Sequence, residues 1–439
     1  MNKPVVAIVG RPNVGKSTLF NRIVGDRVSI VEDEPSITRD RLYSDTEWLG
    51  RPFLLVDTGG IELDADTELK DKMRYQAQMA IDEAEVILFV VDIREGLTVT
   101  DREVADFLRQ SNKEVIVVAN KAENHEQAEM DKYDFYELGF GEVNLISAQH
   151  GLGTGDLLDE VISHFPEQED DDYAEDAIKI SIIGRPNVGK SSLVNKILGE
   201  ERVIVSDIAG TTRDAIDTYF EHDDKDYVII DTAGIRRKGK VNLGVERYSV
   251  IRSLRAIDRS DIALMVIDAT EGMTEQDKKV AGYAHEEGKG IILVVNKWDL
   301  VEKDGRTMNR YLEEIRYEAK FLNYAPVTFV SALTGKRVLE VLEIANYVAE
   351  QHARRVDTSV LNNVIEEATA MFQAPANKQG KRLKIYYGTQ PRVKPPTFIM
   401  FVNDPELINF AYRRYLKNQL RKAFGFEGTP IKLIIRERS

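Results

Sequence analysis

The chain has 439 residues, of which 43% are hydrophobic and 30% charged, so it is long enough for about three globular domains. It has no cysteine, which excludes disulfides and cysteine-ligated metal sites, and no apolar run approaches the roughly 18 residues of a membrane span. The net charge of −15 is uneven, because residues 351–439 carry 16 Lys and Arg against 7 Asp and Glu, which leaves 43 against 67 in residues 1–350. With no signal-peptide pattern, we expect a cytoplasmic protein whose basic C-terminal region either meets a polyanion or is a solvated surface.

The first apolar run, Val5–Val9, leads into Gly10-Arg-Pro-Asn-Val-Gly-Lys-Ser17, and the same eight letters recur at Gly184–Ser191. A glycine-rich turn between a strand and a helix lets backbone N–H groups surround a phosphate, while the lysine reaches the outer phosphates and the serine binds Mg²⁺. The predicted phosphate-binding residues are Gly10, Asn13, Val14, Gly15, Lys16, Ser17 and Thr18, and Gly184, Asn187, Val188, Gly189, Lys190, Ser191 and Ser192.

An internal repeat decides the predicted architecture. Gly10 corresponds to Gly184 at an offset of 174 residues, and Asn120 corresponds to Asn296 at 176. In both copies, continuous apolar runs alternate with helix-like segments, which indicates strands buried on both faces. We therefore predict an α/β fold with two tandem P-loop domains, each a mostly parallel sheet with helices on both faces. The predicted strands are Val5–Val9, Phe53–Val56, Val86–Val91, Val115–Ala119 and Asn144–Ile146, then Ile178–Ile183, Tyr227–Ile230, Ile262–Ile267, Ile291–Val295 and Val327–Val330.

Tyr43–Leu49 and Phe53–Val56 flank Gly50 and are expected to form the one antiparallel hairpin.

The boundaries between the units follow from composition. Glu167–Asp176 is acidic and has no periodic pattern, so we interpret it as an extended linker, with a dock for a basic partner as the alternative. The predicted organisation is a first domain, 1–165, a linker, 166–176, a second domain, 177–350, and a C-terminal domain, 351–439.

Two further motifs end predicted strands 47 residues after each first loop glycine. Asp57-Thr-Gly-Gly60 and Asp231-Thr-Ala-Gly234 each offer a carboxylate for Mg²⁺ and a glycine N–H for the γ-phosphate. Thr38 and Thr212 precede these strands, where a hydroxyl can complete the Mg²⁺ shell when a γ-phosphate is present, or can serve an ordinary turn. The predicted Mg²⁺ ligands are Ser17, Thr38, Asp57, Ser191, Thr212 and Asp231, and the predicted catalytic residues are Lys16, Thr38, Gly60, Lys190, Thr212 and Gly234.

A pair of motifs after later strands predicts the base. Asn296-Lys-Trp-Asp299 has the spacing of a guanine-binding motif, in which the Asp accepts from the ring N–H and the exocyclic amine. Adenine lacks that donor pair, so GTP is favoured over ATP. The first copy, Asn120-Lys-Ala-Glu123, has Glu in place of Asp. A backbone N–H near the next serine can meet the guanine carbonyl, so the predicted base-binding residues are Asn120, Lys121, Glu123, Ser147, Ala148, Asn296, Lys297, Asp299, Ser331 and Ala332.

After Gln351 the pattern changes to a compact α/β sandwich, with predicted elements at Ser359–Met371, Arg382–Tyr387, Thr397–Asn403, Pro405–Phe424 and Ile431–Arg436. On the long helix we expect one side to pack on the sheet through Leu407, Ala411, Tyr412, Tyr415, Leu416 and Leu420, and the other to present a basic stripe of Arg413, Arg414, Lys417 and Arg421. Gly425 and Gly428 have the GxxG spacing of an RNA clamp, but they follow the long helix, which favours a helix cap and turn.

Together, the two GRPNVGKS loops, the two strand-end Asp motifs and the small C-terminal region resemble the EngA (Der) family of bacterial ribosome-assembly GTPases over essentially the whole chain. The resemblance implies a KH-like C-terminal domain, slow GTP hydrolysis, and nucleotide-dependent association with the large ribosomal subunit and its RNA. We expect no DNA or membrane partner and a monomeric chain.

The catalytic apparatus departs from that of many small GTPases, which orient the attacking water with a Gln after the strand-end motif. Ile61 and Ile235 occupy this position here. The resemblance points instead to Asn13 and Asn187 as ligands of a K⁺ ion beside the phosphates, which would stimulate hydrolysis. The alternative is that asparagine is there only because it tolerates the turn.

Two other functions are alternatives to this interpretation of the sequence. A GTP-driven enzyme of RNA modification would need a catalytic set in the C-terminal region, which has no Cys, no His after His352 and no paired carboxylates in an apolar context. A protein-binding switch could instead dock its basic C-terminal region on the acidic remainder of the chain.

Overall fold

A computed structural model of the chain describes residues 3–25, 43–58, 81–166, 176–205, 217–232, 245–372, 374–376 and 380–438. The described residues up to 166 belong to one compact unit, and those from 176 onward belong to a second. Nearly all of the predicted acidic linker lies outside the described residues. The predicted domain boundaries remain predictions.

The first unit is a parallel-dominated sheet with helices. Its strands are β1 (Val5–Val9), β2 (Tyr43–Trp48), β3 (Arg51–Asp57), β4 (Val86–Asp92), β5 (Glu114–Asn120) and β6 (Val143–Leu145), and its helices are α1 (Lys16–Gly25), α2 (Val99–Arg109), α3 (His125–Asp131) and α4 (Thr154–Ser163), with a 3-10 helix at Lys132–Leu138. The strand order is β2-β3-β1-β4-β5-β6. Among the strands of this unit that the structure describes, only β2 and β3 pair antiparallel, which confirms the hairpin predicted around Gly50.

The second unit begins with a similar sheet. Its strands are β7 (Ile178–Ile183), β8 (Ile204–Val205), β9 (Thr218–His222), β10 (Lys225–Ile230), β11 (Ile262–Asp268), β12 (Gly290–Asn296) and β13 (Val327–Phe329), and its helices are α5 (Lys190–Leu198), α6 (Val245–Arg259), α7 (Glu275–Glu286), α8 (Thr307–Glu318) and α9 (Glu340–His352), with 3-10 helices at Trp298–Leu300 and Lys320–Leu322. The order β13-β12-β11-β7-β10-β9-β8 repeats that of the first sheet and adds β8 at the edge. The sequence repeat is therefore a repeat of topology.

The expectation of a single antiparallel hairpin was wrong. In the second unit β9 and β10 also pair antiparallel, around a turn in which Asp223 and Asp224 have positive φ angles of 48° and 58°. Adjacent residues of this kind favour the tight turns that join twisted strands. The apolar pattern missed β9 because its alternation, with Phe220 buried, is weaker than the continuous runs of the central strands.

The central strands place the motifs together. Every residue of β4, β11 and β12 is buried, as their continuous Val, Ile and Leu content predicts. Parallel strands end at the same edge of a sheet, and ligands of such sheets bind beyond those carboxyl ends. All of the predicted nucleotide motifs in the described residues follow strands at this edge.

The C-terminal part of the second unit is a separate three-stranded sheet under helices. Its strands, β14 (Ile385–Arg392), β15 (Thr397–Val402) and β16 (Lys432–Glu437), have the order β14-β15-β16, and its helices are α10 (Thr358–Met371) and α11 (Phe410–Phe424). The predicted long helix begins later than expected, because Pro405–Leu407 forms a 3-10 turn capped by Asp404, and Asn409 caps α11. As a result Ala411 is exposed rather than packed on the sheet.

The GxxG segment packs against the preceding repeat through Phe426 and Gly428, which are buried, while Glu427 is exposed. Gly428 N–H donates to Tyr324 O at 2.8 Å, and Gly428 O accepts from Ile291 N at 2.7 Å. Gly425 ends α11 with a positive φ of 87°, and Phe426 is fully buried. The cap-and-turn interpretation is confirmed. The Gly428 N–H and carbonyl groups are already bonded within the chain, which disfavours an RNA clamp at this loop.

Arg421 does not belong to the predicted basic stripe. Its guanidinium donates to Phe426 O and, at 3.0 Å, to Thr429 O, and lies 4.6 Å from the ring centre of Tyr324. Burial lowers the pKa of Arg421 to about 10. The side chain therefore joins α11 and the loop after it to Tyr324 of the preceding repeat. None of the helices in the described part of the chain combines the length and apolar character that crossing a bilayer requires.

Candidate nucleotide-binding sites

The first phosphate loop depends on its glycines for packing. Gly10 has a φ of 155° and Gly15 one of 96°. A Cβ on Gly10 would overlap the carbonyl oxygen of Val90, and one on Gly15 would overlap the side-chain amide of Asn120. Asn13, at the tip, has a φ of 67°, a conformation that asparagine tolerates better than most residues. The loop can therefore lie directly against the ends of β4 and β5.

The second phosphate loop has the same geometry. Gly184 and Gly189 have φ angles of 137° and 97°, and Asn187 has one of 65°. A Cβ on either glycine would overlap Val266 O or the amide of Asn296. The two loops are thus equivalent in backbone conformation as well as in sequence.

The loop lysines fold back over the loops. Lys16 Nζ donates to Arg11 O at 2.7 Å, while Lys190 Nζ donates to Gly184 O and Arg185 O at 2.6 Å each. Burial lowers the pKa of Lys16. Each ammonium group therefore lies inside the loop that is predicted to surround the phosphates. Next along each chain segment, the predicted hydroxyl residues Ser17, Thr18, Ser191 and Ser192 occupy the first turns of α1 and α5.

The asparagine of each base motif joins three segments. Asn120 Nδ2 donates to Val14 O at 2.9 Å, and Asn120 Oδ1 accepts from Ala148 N at 3.0 Å. The second domain repeats both bonds, each at 2.9 Å, with Asn296, Val188 and Ala332. These predicted base-binding groups are seen here bonding to one another, so they form the frame that connects the phosphate loop to the base side of the site. Ser147 and Ser331, in the same frame, are buried.

Two aspartates orient the lysines of the base motifs, and neither was among the predicted site residues. Lys121 Nζ donates to Asp92 Oδ2 at 2.5 Å and to Asn13 O at 2.9 Å. Lys297 Nζ donates to Asp268 Oδ2 at 2.5 Å. Burial opposes ionisation of Asp268, but hydrogen bonds from Lys297 and a neighbouring threonine outweigh it and lower its pKa. Both aspartates end a central strand at equivalent repeat positions, a signal that could have identified them.

The loop arginines are tied to a helix cap. Arg11 Nε lies 3.3 Å from Asp101, and Arg185 Nε lies 3.1 Å from Asp277. Each aspartate also completes a capping box with a threonine at the start of α2 or α7. These residues, too, recur in both repeats and lie outside the predicted set of site residues.

The two base motifs differ at their last residue. Glu123 accepts from Arg94 Nη2, and its other oxygen lies 3.5 Å from Ser147 Oγ. Asp299 is exposed and makes no hydrogen bond or ion pair within the described part of the chain. The repeat equivalent of Arg94 is Thr270, which bonds to Asp268 instead. The longer carboxylate of the first domain is therefore held by an arginine that the second domain lacks.

The predicted Mg²⁺ ligands are only partly described. Ser17 Oγ donates to Asp57 Oδ2 at 2.7 Å, so the hydroxyl and carboxylate predicted to share an ion lie together. In the second domain, Asp231 N–H donates to Asp217 Oδ1 at 2.8 Å, and Arg259 donates to Asp217 Oδ2 at 2.6 Å. No cluster of three or more His, Cys, Asp or Glu suited to a metal occurs among the described residues. Thr38, Gly60, Ile61, Thr212, Gly234 and Ile235 lie outside them.

Two family models match the chain. The model described as "50S ribosome-binding GTPase" matches residues 5–121 and again 179–297. The model described as "KH-domain-like of EngA bacterial GTPase enzymes, C-terminal" matches residues 355–436. The confirmed α/β fold thus comprises two P-loop GTPase repeats followed by a KH-like region.

Curated relatives match along the full length. Proteins named GTPase Der from Halothermothrix orenii and Staphylococcus carnosus are each 60% identical over 439 residues, covering 100% of this chain and 100% of the relative. Among solved structures, Aquifex aeolicus Era bound to GDP·AlF4⁻ is 21% identical, with a TM-score of 0.33, covering 75% of this chain and 93% of that one.

Proposed function

This chain belongs to the GTPase Der family and is a GTPase, and we propose that it works as a GTP-driven switch in assembly of the large ribosomal subunit. The observation that carries the proposal is the duplication of one complete frame, in which an asparagine connects a phosphate loop to the segment behind the base. A single chain with two such frames can report two nucleotide states to one partner.

Bound Mg²⁺ would neutralise phosphate charge during the attack of water. The residues fit such an ion in the first domain, because Ser17 Oγ and Asp57 Oδ2 are hard oxygen donors only 2.7 Å apart. We propose that Thr38 completes this set and that Ser191, Asp231 and Thr212 form the second. These threonines and the glycines Gly60 and Gly234 would respond to the γ-phosphate.

We also propose a K⁺ ion beside each set of phosphates. Asn13 and Asn187 are exposed at the loop tips with nearly equal φ angles, and their amide oxygens would be the ligands of a cation at the rim of the loop. A cation there would offset transition-state charge at sites where Ile61 and Ile235 offer no polar side chain.

The partner we propose is the large ribosomal subunit and its RNA. The family model that matches both repeats is described as ribosome-binding, and residues 351–439 carry 16 Lys and Arg against 7 Asp and Glu, which suits a polyanion. The proposal includes a cytoplasmic monomer with domains at 1–165, 177–350 and 351–439, and no DNA or membrane partner.

Sedimentation with purified large and small ribosomal subunits tests this function. With a non-hydrolysable GTP analogue, the chain should co-sediment with large subunits and not with small ones, and GDP should reduce the bound fraction. Equal binding to both subunits, or equal binding in both nucleotides, would contradict the proposed switch.

A further inference from the structure

The C-terminal sheet has one face covered by helices and one face that carries half-exposed aromatic and aliphatic side chains. Phe398, Met400 and Val402 of β15 are fully buried in the core formed with α10 and α11. Because side chains alternate along a strand, Ile399 and Phe401 point to the opposite face. We call this the outer face, and its residues are Tyr387, Thr389, Ile399, Phe401, Ile434 and Arg436.

The register across the three strands assembles the outer face into two rows. Tyr387 pairs with Phe401, which pairs with Arg436. Thr389 pairs with Ile399, which pairs with Ile434. Strands lie about 4.8 Å apart, so each row is roughly 10 Å long, about the width of two or three stacked nucleotides.

The first row holds a stacked aromatic pair in which Tyr387 is exposed and Phe401 is half-buried. The rings of Tyr387 and Phe401 are 4.5 Å apart and inclined by only 17°. Tyr387 is 42% exposed and Ile434 is 40% exposed, which is high for large apolar groups. Phe401 covers one face of the Tyr387 ring, and the exposed remainder of that ring is the kind of surface on which a nucleic-acid base stacks.

The row and the adjacent Tyr386 carry three cations. Arg436 follows Phe401 in the row and is exposed. Tyr386, in the bulge next to Tyr387, has Lys384 and Arg438 over its ring at 5.3 Å and 4.8 Å. Such a combination of aromatic rings and positive charges matches single-stranded nucleic acid, whose bases are free to stack and whose phosphates need cations.

We propose that the outer face binds single-stranded RNA, with a base stacked on Tyr387 beside Phe401 and phosphates near Lys384, Arg436 and Arg438. The inference deepens the proposed function, on which it rests, by locating the RNA contact on the sheet. It also explains how a KH-like region whose GxxG loop packs against the preceding repeat can still contact RNA.

Fluorescence anisotropy of the full-length chain with a labelled single-stranded RNA of about 12 nucleotides tests the proposal. Tyr387→Ala should weaken binding about tenfold, because one base–aromatic stack is lost, while Tyr387→Phe should keep it. Duplex RNA of the same sequence should bind much more weakly, because its bases cannot stack on the sheet. Equal affinity for single-stranded and duplex RNA would overturn the proposal.

Tyr317→Ala is the matched control. Tyr317 is a 70% exposed tyrosine with Lys320 4.6 Å from its ring centre, but it lies on α8 and not on the outer face. Its loss should leave RNA affinity unchanged. An equal effect of Tyr317→Ala and Tyr387→Ala would show that any exposed tyrosine beside a cation suffices, which contradicts a site on the sheet.

Two results separate this inference from the proposed function. If Tyr387→Ala leaves RNA affinity unchanged while wild-type chain still co-sediments with large subunits, the outer face is not the RNA contact and the function stands. If Tyr387→Ala changes the sedimentation coefficient of the chain without RNA but leaves its RNA affinity unchanged, a protein surface covers the outer face. That result would also overturn the inference. If wild-type chain binds no large subunits, the function itself fails.

Discussion

In the first GTPase domain the carboxylate of Glu123 is held by Arg94 and lies near Ser147, whereas in the second domain Asp299, at the same motif position, is exposed. Around them the two domains share the same frame. The asparagine bonds to the phosphate loop are 2.9 Å in both, and the motif lysines each bond to an aspartate at 2.5 Å.

This difference shows that the residues of the frame are the same in both domains, whereas the last residue of the predicted base motif is free to differ. The frame depends on buried bonds among identical residues, so any change there leaves polar groups unpaired. The carboxylate that we propose reads the base lies at the edge, where a longer side chain is tolerated if a neighbour orients it. Arg94, with a 61% exposed side chain, supplies that neighbour in the first domain alone.

Loss of the loop lysines should have the largest effect and should show that the two frames act separately. Lys16→Ala should weaken GDP binding about 100-fold in the first domain, and Lys190→Ala should do the same in the second, because each removes a charged donor to phosphate. Titration with a fluorescent GDP analogue measures both sites. The surface variants Lys132→Ala and Lys278→Ala serve as controls, and loss of both sites in either loop variant would contradict independence.

Potassium should stimulate hydrolysis in both domains. Replacing Na⁺ by K⁺ should raise the rate of phosphate release about tenfold, since a cation at Asn13 and Asn187 would stabilise transition-state charge. Asn13→Ala in a Lys190→Ala chain should abolish the K⁺ effect in the remaining site. Equal rates in the two salts would refute this part of the account.

Arg94→Ala sharpens the comparison of the two base sites. We expect GDP binding in the first domain to weaken about fivefold, because Glu123 loses the donor that orients it, and the second domain to be unchanged. The assay is the same titration in a Lys190→Ala chain.

Arg102→Ala is the matched control for Arg94, because Arg102 is also an exposed first-domain arginine in an ion pair, with Glu137 at 3.0 Å. It should leave binding unchanged. Tighter binding in Arg94→Ala would mean that the arginine competes with guanine for the carboxylate.

Glu123→Asp should have the smallest effect. An Asp at this position matches the second domain and should tighten GDP binding about threefold, less than its shorter stem alone would give, because Arg94 already orients Glu123. In the Asp variant, Arg94→Ala should then matter little, and this coupling can be read from the double variant. An unchanged or larger dissociation constant would show that the loop had compensated fully for the longer side chain.

The sequence predicted most of the frame because its signals are local. Continuous apolar runs predicted β1 and β7 residue for residue, and the phosphate loop that follows each strand has a recognisable motif spacing. What it missed depends on packing between distant residues. Arg94 and Glu123, which bond to each other, are 29 positions apart. Arg421 has the helical spacing of a surface cation, but it bonds to the loop that follows α11. The burial of Gly428 against Tyr324 likewise has no local signal.

The central claim is that one chain holds two guanine-nucleotide sites on a repeated frame. Calorimetric titration of nucleotide-free, full-length chain with GDP tests it most directly. The account predicts two GDP molecules per chain, one after either Lys16→Ala or Lys190→Ala, and no displacement by ATP. A single GDP per wild-type chain, or displacement by ATP at comparable concentration, would contradict it.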